Sequence, residues 1–393
     1  DAPAIRFKGF SDAWEQRKAK EICSIGTGKS NTQDQVDDGK YPFYIRSDVP
    51  VRSNKYLYDC EAVITIGDGN IGKVFHYVNG KFDLHQRCYK MTDFKDIWGK
   101  YFFYYFSTKF YDRAMKMTAK ATVDSVRLEM ISEMDIKKPP QISEQKQIAE
   151  FFANLDNLIT LHQRKFEKLT NVKKSMLEKM FPQNGSSYPE IRFKGFTDPW
   201  EQRKVQDVAD RFDNLRIPVA ANLRVHGTTP YYGANGIQDY VEGFTHDGEF
   251  VLVAEDGAND LKNYPVKCVN GRIWVNNHAH VLQGKAGIAD NSFLAFAISQ
   301  SDIESLLVGG GRAKLNAETL MSIEFRLPCL QEQYRIGEYL TQLDHLITLH
   351  QRQSFSHSTP DISLSVQLIH PFYTSSWEQR KFSDITFPAG EKN

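Results

Sequence analysis

The sequence lacks the signatures of disulfide-bonded, zinc-binding and membrane-spanning proteins. Its cysteines are odd in number, scattered, and never in Cys-x-x-Cys spacing: Cys23, Cys60, Cys88, Cys268 and Cys329. This pattern favours reduced thiols over disulfides or a zinc site. No run approaches the roughly 18 consecutive apolar residues of a membrane span, and the first residues lack the apolar core of a signal peptide. The sequence therefore predicts a cytoplasmic protein without a membrane segment.

An excess of charge of one sign is also absent. The 49 Lys and Arg residues equal the 49 Asp and Glu residues, whereas a basic footprint is expected of a nucleic-acid-binding protein. The average hides one basic stretch, residues 164–179, in which Glu167 and Glu178 stand among six basic side chains. Such a stretch is typical either of a solvated helix face or of a binding surface.

Recognisable catalytic motifs are missing as well. Residues 67–73 have the spacing of a phosphate-binding loop, but Val74 replaces the hydroxyl residue that would hold Mg²⁺. We expect His278 and His280 to share one face of a strand, with a structural role or a ligand-facing role favoured over metal ligation. The motifs of a methyltransferase cofactor loop and of a nuclease cluster are not found. We therefore predict no catalytic residues and no metal site in this chain.

What the sequence does contain is a duplication. Residues 5–10 recur as residues 191–196, residues 14–18 as residues 200–204, and residues 155–164 as residues 343–352. The offset of 186 to 188 positions is too long for a solenoid unit and fits a duplicated domain with its connector. The edges of the copies match while the interiors differ, which suggests one shared frame that presents two different reading surfaces.

Two segments have a helical apolar period. The first predicts a helix over residues 142–180, about 58 Å long, and the second repeats its register from residue 331 to 355. We expect the two helices to pair as an antiparallel coiled coil with the domains at opposite ends; the alternative is that each helix packs on its own domain. The predicted coiled-coil and subunit-docking positions are Ile148, Phe152, Leu155, Ile159, Phe166, Leu169, Ile336, Leu340, Leu343 and Ile347.

Between the helices the sequence is typical of mixed α/β domains. Apolar runs at residues 62–66 and 250–254 predict buried strands, and Asn-Gly at residues 79–80 and 270–271 predicts hairpin turns. The predicted domains are residues 1–141 and 191–330. Around them lie the first helix (142–180), a linker (181–190), the shortened second helix (331–355) and an atypical tail (356–393). That tail contains a partial third copy of the opening motif at residues 376–381.

The repeated motifs resemble those of a known family. The Trp-Glu-Gln-Arg-Lys opener, the Pro-x-x-x-Glu-Gln element at residues 140–145 and 328–333, and the Leu-Asp-x-Leu-Ile-Thr-Leu-His-Gln-Arg segment each occur twice. As a set they are similar to the specificity subunit of type I restriction–modification enzymes, over residues 1 to about 352. The resemblance implies α/β (mixed α+β) target-recognition domains in tandem, separated by long antiparallel coiled-coil helices with pseudo-two-fold symmetry.

The resemblance also implies a function and partners. Each domain would read one half of a bipartite site in double-stranded DNA, and the helices would set the spacing and dock two modification (methyltransferase) subunits. Those subunits would bring S-adenosylmethionine, and restriction (motor-nuclease) subunits would bring ATP and Mg²⁺, so that this chain binds no cofactor. The alternatives are a stand-alone DNA methyltransferase or endonuclease, and a bivalent scaffold for proteins or glycans.

The residues that contact DNA are predicted from side-chain chemistry and loop position. Glutamine, asparagine and arginine side chains can reach base edges, and lysine or arginine side chains can reach phosphates. A glycine-rich basic loop at residues 309–314 is a further candidate, with an ordinary flexible loop as the alternative. The candidates are Asn70, Lys73, Arg87, Lys120, Thr122, Tyr232, Asn235, Asn259, Lys262, Asn277, His278, Arg312 and Lys314.

Overall fold

A computed structural model describes residue 3 and residues 5–118, 125–309 and 313–358 of the chain, without the side chains of residues 118 and 353–358. The chain forms two compact units, Asp1–Leu158 and Ile159–Asn393, called here the first and second unit. The partial third copy of the opening motif lies outside the described residues. No helix of the described residues is long and apolar enough to cross a membrane.

The first unit is built around a six-stranded sheet with the order β2-β7-β5-β6-β3-β4. Neighbouring strands are antiparallel except β3 and β6, which are parallel, and β1 pairs separately with β8. The elements up to the long helix are β1 (Glu15–Lys18), α1 (Ala19–Ile22), β2 (Ser24–Thr27), β3 (Tyr41–Tyr44), β4 (Val51–Ser53), β5 (Tyr58–Ile66), β6 (Phe75–Leu84), β7 (Cys88–Thr92), α2 (Gly99–Thr118), α3 (Leu128–Ser132), β8 (Asp135–Lys138) and α4 (Ile142–Met180).

The second unit repeats this topology. Its six-stranded sheet has the order β10-β15-β13-β14-β11-β12, with β11 and β14 parallel, and β9 pairs separately with β16. The shared fold that the sequence predicted for the two interiors is therefore confirmed. The elements are β9 (Glu201–Lys204), α5 (Val205–Val208), β10 (Ala209–Arg211), β11 (His226–Gly233), β12 (Gly236–Val241), β13 (His246–Ala254), β14 (Val266–Val275), β15 (Ala279–Gly284), α6 (Asn291–Ser299), α7 (Ala317–Ser322), β16 (Glu324–Leu327) and α8 (Leu330–Ser358).

The apolar runs of both copies are central strands with cores on their two faces. In the first unit, Val63 faces the aromatic side of α2, whereas Ala62 and Ile64 belong to a second cluster with Phe82 on the opposite face. A strand that is buried on both faces reads as a continuous apolar run because neither set of alternating side chains meets water. The predicted strands at 62–66 and 250–254 are confirmed as parts of β5 and β13.

The predicted Asn-Gly hairpin turns are wrong. Residues 79–80 lie in the middle of β6, where Asn79 pairs with Glu61 and Gly80 with Cys60 of β5. Residues 270–271 lie likewise in the middle of β14. Gly80 has φ +130°, a backbone conformation that glycine adopts readily, so it is accommodated within a continuous strand instead of reversing the chain.

The sequence motifs repeated at the start and end of each copy meet in a buried polar frame, which is built on an arginine–glutamate ion pair. Arg6 makes a two-pronged ion pair with Glu144 at 2.7 Å, and Arg192 makes the same pair with Glu332 at 2.7 and 2.8 Å. Both glutamates are fully buried. A carboxylate without solvent needs a charged, two-pronged partner, so the Ile-Arg-Phe-Lys-Gly-Phe and Glu-Gln motifs are required together.

The glutamine of each Glu-Gln pair holds a loop to the start of the long helix. The Gln145 side chain accepts from Trp98 N at 2.8 Å and donates to Pro139 O at 2.9 Å. The Gln333 side chain accepts from Asp290 N at 3.0 Å and donates to Pro328 O at 2.9 Å. The Pro-x-x-x-Glu-Gln element is therefore a structural motif, which explains why it recurs with so little change.

The long helix contributes to both units. Within the first unit, Ala149 of α4 is fully buried and Ile148 packs against the α2 core. Within the second unit, the part of α4 from Ile159 onward runs antiparallel to α8: the Nδ1 atoms of His162 and His350 are 2.9 Å apart, and Lys173 pairs with Asp344 at 2.5 Å. The apolar positions Leu169, Val172 and Met176 of α4 and Ile336, Leu340 and Leu343 of α8 join one core cluster. Antiparallel pairing is therefore confirmed for this stretch.

Candidate nucleic-acid interface

The loops after β5 and β13 carry exposed polar residues at one end of each sheet. We call the surroundings of Asp68-Gly69 and of Asp256-Gly257 the Asp-Gly edges of the first and second unit. In the first, Gly67 N donates to Arg87 O at 2.7 Å and Val126 N donates to Gly67 O at 2.6 Å. These bonds fix the end of β5 between the β6–β7 turn and the segment before α3.

The second unit makes the same backbone bonds at equivalent positions. Glu255 N donates to His278 O at 2.9 Å, and Leu315 N donates to Glu255 O at 2.8 Å. The strand registers give the equivalences: Ile66 pairs with Cys88 as Ala254 pairs with Ala279. Arg87 immediately precedes β7 and His278 immediately precedes β15, so the two residues occupy equivalent positions in the two units.

In the first unit the edge carries two arginines on one aspartate. Arg46 Nη1 lies 3.3 Å and Arg87 Nη1 lies 2.8 Å from the Asp68 carboxylate. Partial burial alone would raise the pKa of Asp68, but the hydrogen bonds and charges of Arg87 and Arg46 outweigh it and hold this pKa below its usual value. The carboxylate therefore stays ionised and keeps both guanidinium groups in place.

In the second unit the equivalent edge is held by amides and an imidazole. Asn235 donates to Gly257 O at 2.8 Å and accepts from Asn259 N at 2.8 Å, which fixes the loop after β13 to the β11–β12 turn. His278 Nδ1 lies 2.5 Å from Asp256 Oδ1. The two edges thus have one backbone frame and different exposed groups.

Beneath the second edge lies a charged network. His280 is 2% exposed; its Nδ1 lies 2.7 Å from Asp213 Oδ2 and its Nε2 lies 2.9 Å from Leu315 O. Glu255 accepts from Arg216 at 2.6 Å and pairs with Lys314 at 2.8 Å. Since two cations compensate the carboxylates and both ring nitrogens are engaged, the grouping of Asp213, Glu255 and His280 reads as a structural ion-pair network instead of a metal site.

The carboxylates of this network are ionised in the folded protein. Burial works to raise the pKa of Asp213, but the hydrogen bonds from His280 and Val281 N and the charge of Arg216 bring it below its usual value. Burial likewise works to raise the pKa of Glu255, but the hydrogen bonds from Lys314 and Arg216 and the charges of His280 and Arg216 bring it below its usual value. The Lys314 side chain, predicted to contact phosphate, is therefore already paired within the chain.

The two histidines of the His-Ala-His segment have separate surroundings. His278 lies in the turn before β15, because Asn276 Oδ1 accepts from its backbone N–H at 2.8 Å, whereas His280 lies within β15. The expectation that both share one strand face is wrong. His280 has the structural role, and His278, which is 35% exposed, stays at the polar edge.

The structure brings most of the candidate DNA contacts to the two edges. Asn70, Asn235, Asn259 and Asn277 are exposed; Arg87 and Lys314 are exposed but form ion pairs, and His278 is half-buried beside Asp256. Lys73 instead lies over the Tyr111 ring of α2 at 5.7 Å. Lys262 is exposed in the loop before β14. Lys120, Thr122 and Arg312 lie outside the described residues.

One candidate is buried and one edge residue was missed. Tyr232 is only 7% exposed and packs in an apolar cluster with Phe250 and Ile273. Its ring therefore lies beneath the surface, and the prediction that it contacts DNA is wrong. Arg46 was overlooked although it shares Asp68 with Arg87. The 188-residue offset between the copies could have identified it, because this offset aligns residues 46–47 with Ala234 and Asn235, and Asn235 was already a candidate.

Comparison with known proteins gives consistent matches. A family model described as "Type I restriction modification DNA specificity domain" matches residues 11–171 and 197–354. A type I restriction enzyme specificity subunit of Haemophilus influenzae is 42% identical over 163 residues, which make up 42% of this chain and 42% of that protein. The MjaVIII specificity subunit of Methanocaldococcus jannaschii is 22% identical over 86% of this chain and 88% of that protein.

One solved structure supports the fold. The S subunit of a type I restriction–modification system from M. genitalium has a TM-score of 0.69 at 13% identity, with 90% of this chain and 95% of that chain covered. At this identity the likeness concerns the fold. The tandem arrangement of mixed α/β units with long helices is therefore shared with a solved protein.

Proposed function

Since this chain belongs to the family of type I restriction–modification DNA specificity domains, we propose that it is a non-catalytic subunit that recognises a bipartite DNA site. Each unit reads one half of the site at its Asp-Gly edge. The observation that carries the proposal is the duplication of one backbone frame with different exposed groups on it, Arg46 and Arg87 in one copy and Asn235 and His278 in the other.

The chemistry of the edges suits base recognition. Guanidinium and carboxamide groups are the side chains that read purine edges in the major groove with paired hydrogen bonds. At each edge these groups lie in turns between strands that are anchored by backbone hydrogen bonds. Little conformational freedom of the backbone is therefore lost on binding. Two unlike edges on one frame account for a site with two unlike halves.

The helices supply the spacing and the docking surface in this proposal. Helix α4 runs unbroken from Ile142 to Met180, about 58 Å at the α-helical rise. Its outward apolar residues recur on α8 with matching exposure: Leu158 is 39% and Leu346 40% exposed, and Leu161 is 46% and Leu349 41% exposed. Two equivalent apolar surfaces fit two copies of the same partner.

The partners carry the reaction. Two modification subunits dock on the helices and hold S-adenosylmethionine, restriction subunits with ATP and Mg²⁺ join them in the cytoplasm, and this chain holds no cofactor. Of the positions assigned to docking from sequence, Ile336, Leu340 and Leu343 are buried in the second unit, and we assign the docking itself to the exposed leucines.

Methylation of DNA tests the function. Cells that produce this chain with the candidate methyltransferase partner should carry N6-methyladenine at one bipartite motif, and cells that lack this chain should not. Methyl transfer by the purified chain alone would contradict the proposal and favour a self-contained methyltransferase.

The docking surface has its own test. Leu161→Lys together with Leu349→Lys should abolish co-purification of the methyltransferase partner, because a charge is placed in each apolar contact. A matched double variant at exposed polar positions of the same helices, Gln163→Lys with Gln351→Lys, should leave co-purification intact. Equal co-purification of both variants would remove the leucines from the interface.

A further inference from the structure

The Asp-Gly edge of the first unit pairs Arg46 and Arg87 on a single carboxylate, whereas the equivalent described positions of the second unit carry Ala234 and His278. Resting on the proposed function, we propose that the first unit reads guanine through Arg46 and Arg87, so that its half-site contains guanine contacts that the half-site of the second unit lacks at the equivalent position.

The guanidinium groups of Arg46 and Arg87 are only partly engaged by Asp68. Only the Nη1 atoms of Arg46 and Arg87 bind Asp68. Within the described residues, the Nε and Nη2 atoms of both arginines make no hydrogen bond. The side chains are 49% and 60% exposed, whereas Asp68 is 20% exposed. The free N–H groups are therefore open to a ligand while the anchored ones are not.

The contact with Asp68 also orients these groups. A guanidinium group is planar and donates in a fixed fork, so a carboxylate that holds one side determines where the other side points. Guanine presents two adjacent acceptors, O6 and N7, in the major groove, which match such a fork. A site for phosphate alone would need charge and no fixed direction, and Asp68 lowers the net charge while it fixes the direction.

The second unit carries other residues at the equivalent positions. His278 occupies the place of Arg87, and Ala234 occupies the place of Arg46 by the 188-residue offset. Arg216, which binds Glu255 next to Asp256, is 15% exposed and is also held by Ala279 O. The described part of this edge therefore offers imidazole and amide groups where the first unit offers guanidinium groups.

Selection from a randomised duplex library tests the assignment. The full chain, with its candidate methyltransferase partner present, is used to retain duplexes, and the base preferences of both half-sites are compared among variants. Arg87→Ala and Arg46→Ala should each lower the preference for guanine at a position of one half-site by at least about fivefold. The other half-site should not change. In either variant Asp68 keeps one arginine, so the fold of the edge is retained.

Three further variants separate base reading from charge. Arg87→Lys keeps the charge without the fork and should not restore the guanine preference. His278→Arg, placed beside Asp256, should raise the preference for guanine in the other half-site. Arg17→Ala removes a half-exposed arginine of β1 that is paired with Glu15 and should leave both half-sites unchanged.

The outcomes distinguish this inference from the function on which it rests. Uniformly weaker binding with unchanged base preference, or full restoration by Arg87→Lys, would overturn the guanine assignment and leave bipartite recognition standing. Retention of duplexes without any sequence preference by the parent complex would overturn both.

Discussion

The two units bind an equivalent backbone carbonyl with different side chains. In the first unit the carbonyl of Val126 accepts from the Tyr89 hydroxyl at 3.1 Å. In the second unit the equivalent carbonyl, of Leu315, lies 2.9 Å from His280 Nε2. The first unit thus uses the hydroxyl of Tyr89 for this bond. The second unit uses the imidazole of His280, which belongs to a network with Asp213, Glu255, Arg216 and Lys314.

The comparison shows which parts of the fold are free to vary. The backbone bonds around Gly67 and Glu255 are the same, and so are the buried ion pairs of Glu144 and Glu332. What differs is the set of side chains that fill the frame and reach its edge. Such a division lets recognition change while folding is preserved, which is the property that a duplicated reader of two half-sites requires.

The largest expected effect concerns the buried glutamates, which the two units support unequally. Glu144 accepts from Trp14 Nε1 at 3.3 Å as well as from Arg6, whereas the equivalent Trp200 Nε1 is buried without a partner. Arg192→Ala should therefore destabilise the second unit by about 3 kcal/mol or more, and Arg6→Ala should destabilise the first unit less. Chemical denaturation of the two variants measures the difference; a larger loss for Arg6→Ala would contradict the comparison.

The glutamines should behave alike in the two units. Gln145→Leu and Gln333→Leu each leave a backbone N–H and backbone carbonyls without their side-chain partner. Each substitution should lower the free energy of unfolding by about 2 kcal/mol. Urea denaturation of both variants checks this, and a clear inequality would show that the polar frame is not equivalent in the two copies.

Acid should distinguish β15 of the second unit from β7 of the first. The folded-state pKa values of Asp213 and Glu255 lie below their ordinary values of 3.8 and 4.5. Lowered pKa values stabilise the fold at pH above the unfolded values, and this contribution is lost as the pH falls through the folded values. Amide hydrogen exchange in β15, corrected for its intrinsic pH dependence, should therefore accelerate below about pH 5.

A double variant supplies the control for the acid effect. Asp213→Asn with Glu255→Gln removes both titrating groups, so the acid-dependent part of the exchange in β15 should disappear. In β7 of the first unit, Tyr89 provides the equivalent bond, and burial raises the pKa of its hydroxyl, so this bond does not titrate in acid. The same acid dependence in parent and double variant would rule out the network as its source.

The smallest effect is expected at the surface of the helix pair. Lys173 and Asp344 are 25% and 43% exposed, and ion pairs of this kind contribute little because water screens them. Lys173→Ala should cost less than about 1 kcal/mol. A thermal unfolding scan at low and high salt measures it; a loss comparable to that of Arg192→Ala would mean that the ion pair, and not the apolar stripe, holds α4 to α8.

Sequence periodicity predicted the parts of the fold that depend on local pattern. The apolar stripe from Ile148 to Leu169 indicated the long helix, and the run at residues 62–66 indicated a central strand. The pattern failed at Gly80 because continuous pairing of β6 with β5 accommodated an Asn-Gly step that usually turns the chain. Local statistics do not include such tertiary pairing.

The site was less predictable because it depends on contacts between distant segments. Asp68 meets Arg46 and Arg87 only when β3, β5 and the β6–β7 turn come together in the sheet. The sequence analysis predicted a DNA contact for Tyr232, whereas its ring packs in the core. Comparison of the two copies by their offset carries more information about the edges than either copy alone.

The most direct test of independent reading by the two units is the methylation motif of cells that carry Arg46→Ala with Arg87→Ala, mapped across the genome beside that of the parent. The account predicts a parent motif of two unlike halves at fixed spacing, and a variant in which one half loses specificity while the other half and the spacing stay the same. An undivided parent motif, or simultaneous change of both halves in the variant, would contradict it.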